Sequence, residues 1–478
     1  MSIPMRWFVS LILLLLIAGM YSCKKETLLT SGGEVRFSVD TLHFDTVFTQ
    51  YASFTLGIKI LNPQKQKINL SSVRLEKGTH SMFHLNVNGI PGNEVFDIEI
   101  AAEDSIYVFT TVNIDPTDEN NPFIVEDRII ATLNSKDFSI PVYAYGQNAH
   151  YIVDSVITQD AIWGADKPYV ILHSALIDAG KTLTIEPGCK IYMHADSRLY
   201  VLGRLLANGT KEDSIIFQGN RLDRDYFGNV GYPGEWGGIY FDSSSYGNEM
   251  RWVVLKNCGN NAGGGLPFAI EVYGRPGIPL QLTMQNTIIE NSIGYGILSF
   301  QGNIKAQNSL VHSCGAQALA ILQGGRYEFD NCDFIIYAPP RLSHINEPTV
   351  AVLNYFDISS EQRIAGDLYA RFRNCVIYGS LEEELFCRKE DAVAYDVSFE
   401  HCFIQHKNPL PEFVQQNNNI SAQQNNPLFV DVLKQNFRLT AGSILIDAGI
   451  DIPGLSNDLD DKPRKQGQID IGCYEFQP

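Results

Sequence analysis

In the second half of the chain, short runs alternate apolar and polar residues and end on Asn or His followed by a small residue. The runs occupy 253–258, 282–287, 304–309, 327–332, 370–375 and 397–402, and the fourth reads Tyr327, Glu328, Phe329, Asp330, Asn331, Cys332. Their Asn or His residues follow one another at intervals of 29, 22, 23, 43 and 27. One short alternating strand per twenty-odd residues predicts a solenoid whose coils bury their apolar sides against one another. Strand side chains alternate, so Leu255, Met284, Ala306, Phe329, Phe372 and Phe399 are expected inside, with the Asn residues forming a ladder at a turn. The interval of 43 fits one coil carrying an outward loop, because Ala338, Pro339, Pro340 and Arg341 interrupt the pattern.

The fold predicted for 150–478 is a right-handed parallel β-helix, with a C-terminal cap from about residue 427. Cys258, Cys332, Cys375 and Cys402 each directly follow the Asn or His. Parallel stacking points such side chains the same way, so they are expected to be buried free thiols rather than disulfides. A different pattern holds over 35–147, where β-rich runs alternate with turn clusters and some seven short strands predict an immunoglobulin-like sandwich. The expected class is therefore all-β, a sandwich followed by a solenoid, with 23–34 as a linker.

The first residues change where this body is expected to reside. One positive charge, an apolar run over 7–20 and then Tyr21, Ser22 and Cys23 have the layout of an export signal, too short to span a bilayer comfortably. Ser22-Cys23 resembles a bacterial lipobox of the loose kind usual in Bacteroidetes-type lipoproteins. That resemblance implies removal of 1–22, lipidation of Cys23, and an outer-membrane lipoprotein on the periplasmic or surface face. The formal charge of −18 excludes nucleic acid and anionic lipid as natural partners. It also disfavours acidic polysaccharides unless calcium or a local basic stripe intervenes.

Further segments carry the same resemblance. Phe44 to Thr49, Ile114-Asp115-Pro116 and Ala144 to Gln147 resemble the N-terminal sandwich of Bacteroidetes lipoproteins, which implies a spacer or a contact surface for a protein partner. Thr182 to Gly188 resembles the opening coil of secreted β-helices. Asn436 to Leu439, Ile446 to Gly449 and Ile469 to Glu475 resemble the closing tail of bacterial right-handed β-helix proteins.

Candidate chemistry falls in three places. Lys305, Glu328, Asp330, Arg371, Arg373 and Glu400 make an outward charged stripe. Similarity to pectate-lyase-like β-helices would make Arg371 or Arg373 the base, and Glu328 and Asp330 ligands of calcium, the one cofactor considered. Cross-strand ion pairing accounts for the same stripe without a site. A Gly- and aromatic-rich loop presents Tyr232, Trp236 and Tyr240, whose rings suit sugar stacking. Asp458, Asp460, Asp461 and Asp470 cluster in the tail without the order of a calcium loop. No HExxH, GxSxG, Walker A or GxGxxG segment occurs. The expected role is binding or scaffolding of polysaccharide at the cell envelope, with a calcium-assisted polysaccharide lyase and an adhesive surface protein as alternatives.

Overall fold

The computed structural model describes residues 27–50, 53–117, 120, 122–195, 197–222, 232–261, 264–337, 342, 344, 346–421, 427–464 and 467–477. The leader, Cys23 and 338–341 lie outside the described residues. The chain divides into two compact units, 1–148 and 149–478.

The first unit is a sandwich of two five-stranded sheets among the described residues. Strands Leu56–Leu61, Ser105–Val112 and Phe83–Val87 adjoin in one sheet; Lys136–Gln147, Phe123–Leu133 and Ile68–Leu75 adjoin in the other. Pairing is antiparallel except between Leu42–Phe48 and Lys136–Gln147, which run parallel. Alternation along each strand turns Phe44, Val73, Phe83, Val108, Ile129 and Val142 into a dry core between the sheets.

The second unit is a right-handed parallel β-helix with three strands per coil. One coil reads Lys190–Met193, Arg198–Val201 and Arg204–Asn208, and the next reads Ile215–Gly219, Ile239–Phe241 and Asn248–Arg251. Each strand pairs in parallel with its counterpart in the next coil, which generates three faces. The first and second faces share one 18-stranded sheet that turns a corner, and the third is a ten-stranded sheet. Inside the third face run Met250, Met284, Ala306, Phe329, Phe372 and Phe399 in direct register, none more than 1% exposed. The last three rings stack at 5.0 and 4.6 Å between centroids.

The ladder is real but its membership differs from expectation. Asn286, Asn308, Asn331, Asn374 and His401 all stand at the corner after the third face with φ of 48 to 51°. Asn tolerates this left-handed region better than other non-glycine residues, which is why it recurs there. Asn257 does not belong to this column: its strand, Val253–Lys256, lies on the first face and pairs with Ile288–Glu290. Its own corner carries Asn291, whose amide donates to Asn257 Oδ1. Trp252, at φ 50°, takes the place above Asn286. Two corners of the coil demand the same backbone geometry, so the same phrase arises on two faces.

The interval of 43 is one coil, since Gly325–Asp330 pairs directly with Leu368–Arg373. The extra length holds a loop and a hairpin, Tyr355–Asp357 with Arg363–Ala365. Cys258, Cys332, Cys375 and Cys402 are free and buried. Burial is also the largest cause pushing the Cys258, Cys332 and Cys375 thiols well up, which keeps them protonated and inert.

The tail corrects the expected cap. Residues from Leu428 to Phe476 do not stack on the last coil but run back along the outside of the first face. Leu428, Phe437, Leu445 and Ile471 cover the outward side chains Leu310, Ile335, Val376 and Phe403. The strap also seals the Asn ladder: Asn308 donates to Asn457 O, Asn331 to Asp470 O and Gly472 O, and Asn374 to Ile450 O. Ladder amides therefore bond mainly to the strap rather than to one another, although Asn374 also donates to Asn331 Oδ1.

Candidate functional site

The three faces offer different surfaces. The first is covered by the strap over the coils from Ile288 to Phe403. The third is a ladder of paired polar side chains: Lys305 lies beside Glu328, Glu328 beside Arg371, Asp330 beside Arg373, and Arg373 beside Glu400. Arg373 Nε donates to Asp330 Oδ1 at 2.7 Å, and Arg371 lies 3.6 Å from Glu328. Gln307 also donates to Asp330 at 3.1 Å, and Asn417 to Glu400 at 3.0 Å. This geometry is the cross-strand ion pairing that accounts for the stripe without a site. Burial would lower the Arg373 pKa, but the Asp330 hydrogen bond and charge outweigh it and the net shift is upward, the wrong direction for a base. Asp330, with its side chain only 2% exposed, is committed to Arg373, and Glu328 lies against Arg326 and Arg371. Among the described residues no group of three His, Cys, Asp or Glu side chains is placed to hold a metal.

The acidic tail cluster is likewise structural. Asp458 accepts from the backbone N–H groups of Asp460, Lys462 and Glu475, while Asp460 pairs with Arg438 and Lys211.

The three aromatic candidates part company. Trp236 is fully buried, with its ring facing Phe217 at 6.2 Å and Nε1 donating to Lys256 O at 2.7 Å, so it is a core residue and not a sugar platform. Tyr232 is 41% exposed on the loop. Tyr240 points outward from the second face, and there the structure builds a site that sequence reasoning did not assemble.

Successive coils place Tyr200, Tyr240 and Glu271 side by side on the outer surface of that face, and the next residue of the row, Leu298, is buried beneath Phe268, Phe300 and Phe356. Tyr200 and Tyr240 meet edge to face at 6.0 Å. Two residues beyond Glu271 along its strand, Tyr273 is 42% exposed and packs against Phe300. Arg198 borders the strip, its guanidinium 4.5 Å from the Phe268 ring and Nε donating to Gly237 O. Tyr200, Tyr240 and Glu271 each sit between two inward apolar neighbours, in Leu199-Tyr200-Val201, Ile239-Tyr240-Phe241 and Ile270-Glu271-Val272. That apolar–X–apolar triplet is the signal that could have found them.

Glu271 gives the strip its chemistry. Burial among the rings raises its pKa to about 7, against a weaker opposing pull from Arg198. Tyr240 is pushed up to about 12, first by burial and then by the charges of Asp242 and Glu271. A carboxyl balanced between its two forms, flanked by flat rings, can donate or accept a hydrogen bond from a polyhydroxylated ligand. The folded state binds the Glu271 proton more tightly than the unfolded chain, whose value is near 4.5. Its contribution to stability is therefore present below about pH 4.5 and is lost as pH rises through about 7. Glu271→Gln removes that loss, so in thermal melts the variant is expected to be more stable than the parent at pH 8, with the gap closing by pH 5. Parallel curves across this range would contradict the assignment.

Comparison with known proteins bears on the fold. Residues 169–334 match the family described as a right handed beta helix region. No curated protein matches the chain. Among solved structures it is similar to the catalytic unit of a thermostable GH87 alpha-1,3-glucanase from Streptomyces thermodiastaticus, at 10% identity and TM-score 0.26, covering 77% of this chain and 89% of that one. It is also similar to a family 123 glycoside hydrolase from Clostridium perfringens, at 11% identity and TM-score 0.18 over 27% of this chain. The match spans only 26% of the latter's length.

Proposed function

We propose that this protein is a membrane-anchored extracytoplasmic lipoprotein that binds or scaffolds polysaccharide at the cell envelope, with the glycan lying along the second face. The observation that carries this reading is Glu271, a half-buried carboxyl of raised pKa set in an open row with Tyr200 and Tyr240. Rings of this kind offer apolar faces to sugar rings, and the carboxyl supplies the directional hydrogen bond. Lipidation at Cys23 would hold the body at the outer membrane, on its periplasmic or surface side. The sandwich, read as immunoglobulin-like, would act as a spacer or meet a protein partner. The paired stripe supports binding rather than a calcium-assisted lyase.

The test is a glycan array followed by calorimetry. At least one polysaccharide is expected to bind, and Tyr240→Ala is expected to weaken it about fivefold or more, since an aromatic–sugar contact of this size is worth more than about 1 kcal/mol. A blank array, or binding indifferent to Tyr240, would remove the reading. A blank array together with one protein captured by the sandwich would favour the adhesive alternative.

A further inference from the structure

Beyond the end of the aromatic strip, the corner between the second and third faces holds a cleft of about 460 Å³. Its floor is backbone. Gly325 sits at φ 116°, and a methyl there would lie 2.4 Å from Gly302 O, while one at Gly366 would lie 2.6 Å from Gln323 O. The close approach of backbone to backbone requires glycine at both positions, so neither adds a side chain to the lining. Asn303, whose amide donates to Ile278 O, stiffens one wall. Arg275 and Arg326 both line the cleft, together with a single acid, Asp367, whose carboxylate accepts from Ala394 N–H.

Arg275 is placed differently from most other arginines in this chain. Arg204, Arg363, Arg373, Arg438 and Arg464 are each paired with a carboxylate. Among the described residues Arg275 forms no ion pair, and only its Nε is engaged, donating to Ser243 O at 3.2 Å. Its two terminal nitrogens have no hydrogen-bond or ion-pair partner among the described residues. Arg326 lies 4.2 Å over the Tyr369 ring and makes one 3.3 Å contact to Glu328, so its plane is held while more than half of it is exposed. Two guanidinium groups against one carboxylate in the lining, in a chain of net charge −18, make this cleft a locally basic exception on an acidic surface. Tyr273 ends its strand two residues before Arg275, so the cleft continues the aromatic strip.

We propose that Arg275 and Arg326 form a subsite for an anionic substituent, carboxylate or sulfate, on the glycan that lies along the second face. The inference rests on the glycan reading above and names the class of sugar that site prefers. The strip receives the ring faces, and the guanidinium pair receives the charged group in a forked contact. The negative body of the protein repels acidic polymers elsewhere, so binding is confined to this register.

The test uses the full protein and one glucan hexasaccharide in three forms: neutral, C6-oxidised and 6-O-sulfated. Calorimetry in 50 mM salt is expected to show at least one charged form binding tenfold or more tighter than the neutral one, with the advantage shrinking as salt rises. Which charged form wins identifies the substituent. Arg275→Ala and the Arg275→Ala/Arg326→Ala pair are expected to abolish the advantage while leaving thermal stability and neutral-sugar binding unchanged. Arg275→Lys is expected to recover only part of it, because the fork is lost. Charged forms that bind alone, through Arg275 but regardless of Tyr240, would keep this subsite and overturn the aromatic strip. Equal affinity for the three forms, no binding by any, or a preference that survives both arginine substitutions would overturn the subsite.

Discussion

Phe372→Ala is expected to destabilise the β-helix by about 3–5 kcal/mol, the range for deleting a buried aromatic ring. The ring is fully buried at the centre of a stack, 5.0 Å from Phe329 and 4.6 Å from Phe399, and it also meets Phe334 edge-on. Neighbouring coils are fixed by their backbone ladders and cannot collapse into the space, so the cavity stays. Phe372→Leu, which fills most of it, is expected to cost less than half as much. Urea denaturation followed by tryptophan fluorescence reads this unit alone, since Trp163, Trp236 and Trp252 all lie in it and the described part of the first unit has none. A loss below about 1 kcal/mol would mean that the three rings do not form one column.

Removal of Arg464 has a second large effect, on the strap. This guanidinium is fully buried; it donates to Asn308 Oδ1 at 2.6 Å and to Gly472 O and Cys473 O at 3.0 Å, and it lies 3.4 Å from Glu475. It is the cation within a group of buried acids. Burial raises Asp333 to about 7 and, with the Asp470 charge, Glu475 to about 8, although Arg464 pulls both down. Arg464→Met leaves those acids and four acceptors without their donor, a loss of about 3–5 kcal/mol. The strap is the element that gives way, so proteolysis within 428–477 is expected to accelerate by about a hundredfold or more. Raising the pH from 6 to 9 is expected to widen the gap, because Asp333 and Glu475 then carry charges that nothing compensates. Unchanged cleavage would show that the strap is held by its apolar contacts alone.

The coil was legible because its corners demand a left-handed residue and Asn supplies one, as at Asn308, Asn331 and Asn374. The same preference misplaced Asn257, and nothing in the local sequence announces that Trp252 takes the corner above Asn286. The tail could be recognised as a closing segment, but its direction depends on Leu310, Ile335, Val376 and Phe403 facing outward, and a single-strand pattern does not distinguish outward apolar residues from inward ones. Trp236 looked like a loop aromatic because glycines surround it; its indole is drawn inside by Phe217 and the Lys256 carbonyl. The strip at Tyr200, Tyr240 and Glu271 was hidden for a related reason. Loops of different length separate the strands Arg198–Val201, Ile239–Phe241 and Phe268–Tyr273, so no fixed period links three residues that the register places in one row.

That row exists only if the chain winds in the register described, and electron–electron distance measurement between spin labels tests this directly. Tyr200 and Phe386 lie six coils apart in one outward column, and Glu271 and Phe386 lie four apart. At about 4.8 Å per coil, the first labelled pair is expected near 29 Å and the second near 19 Å, a difference of about 10 Å in which the label tethers cancel. Two pairs at indistinguishable separations, or a first pair closer than the second, would contradict the stacked coil and the site built on it.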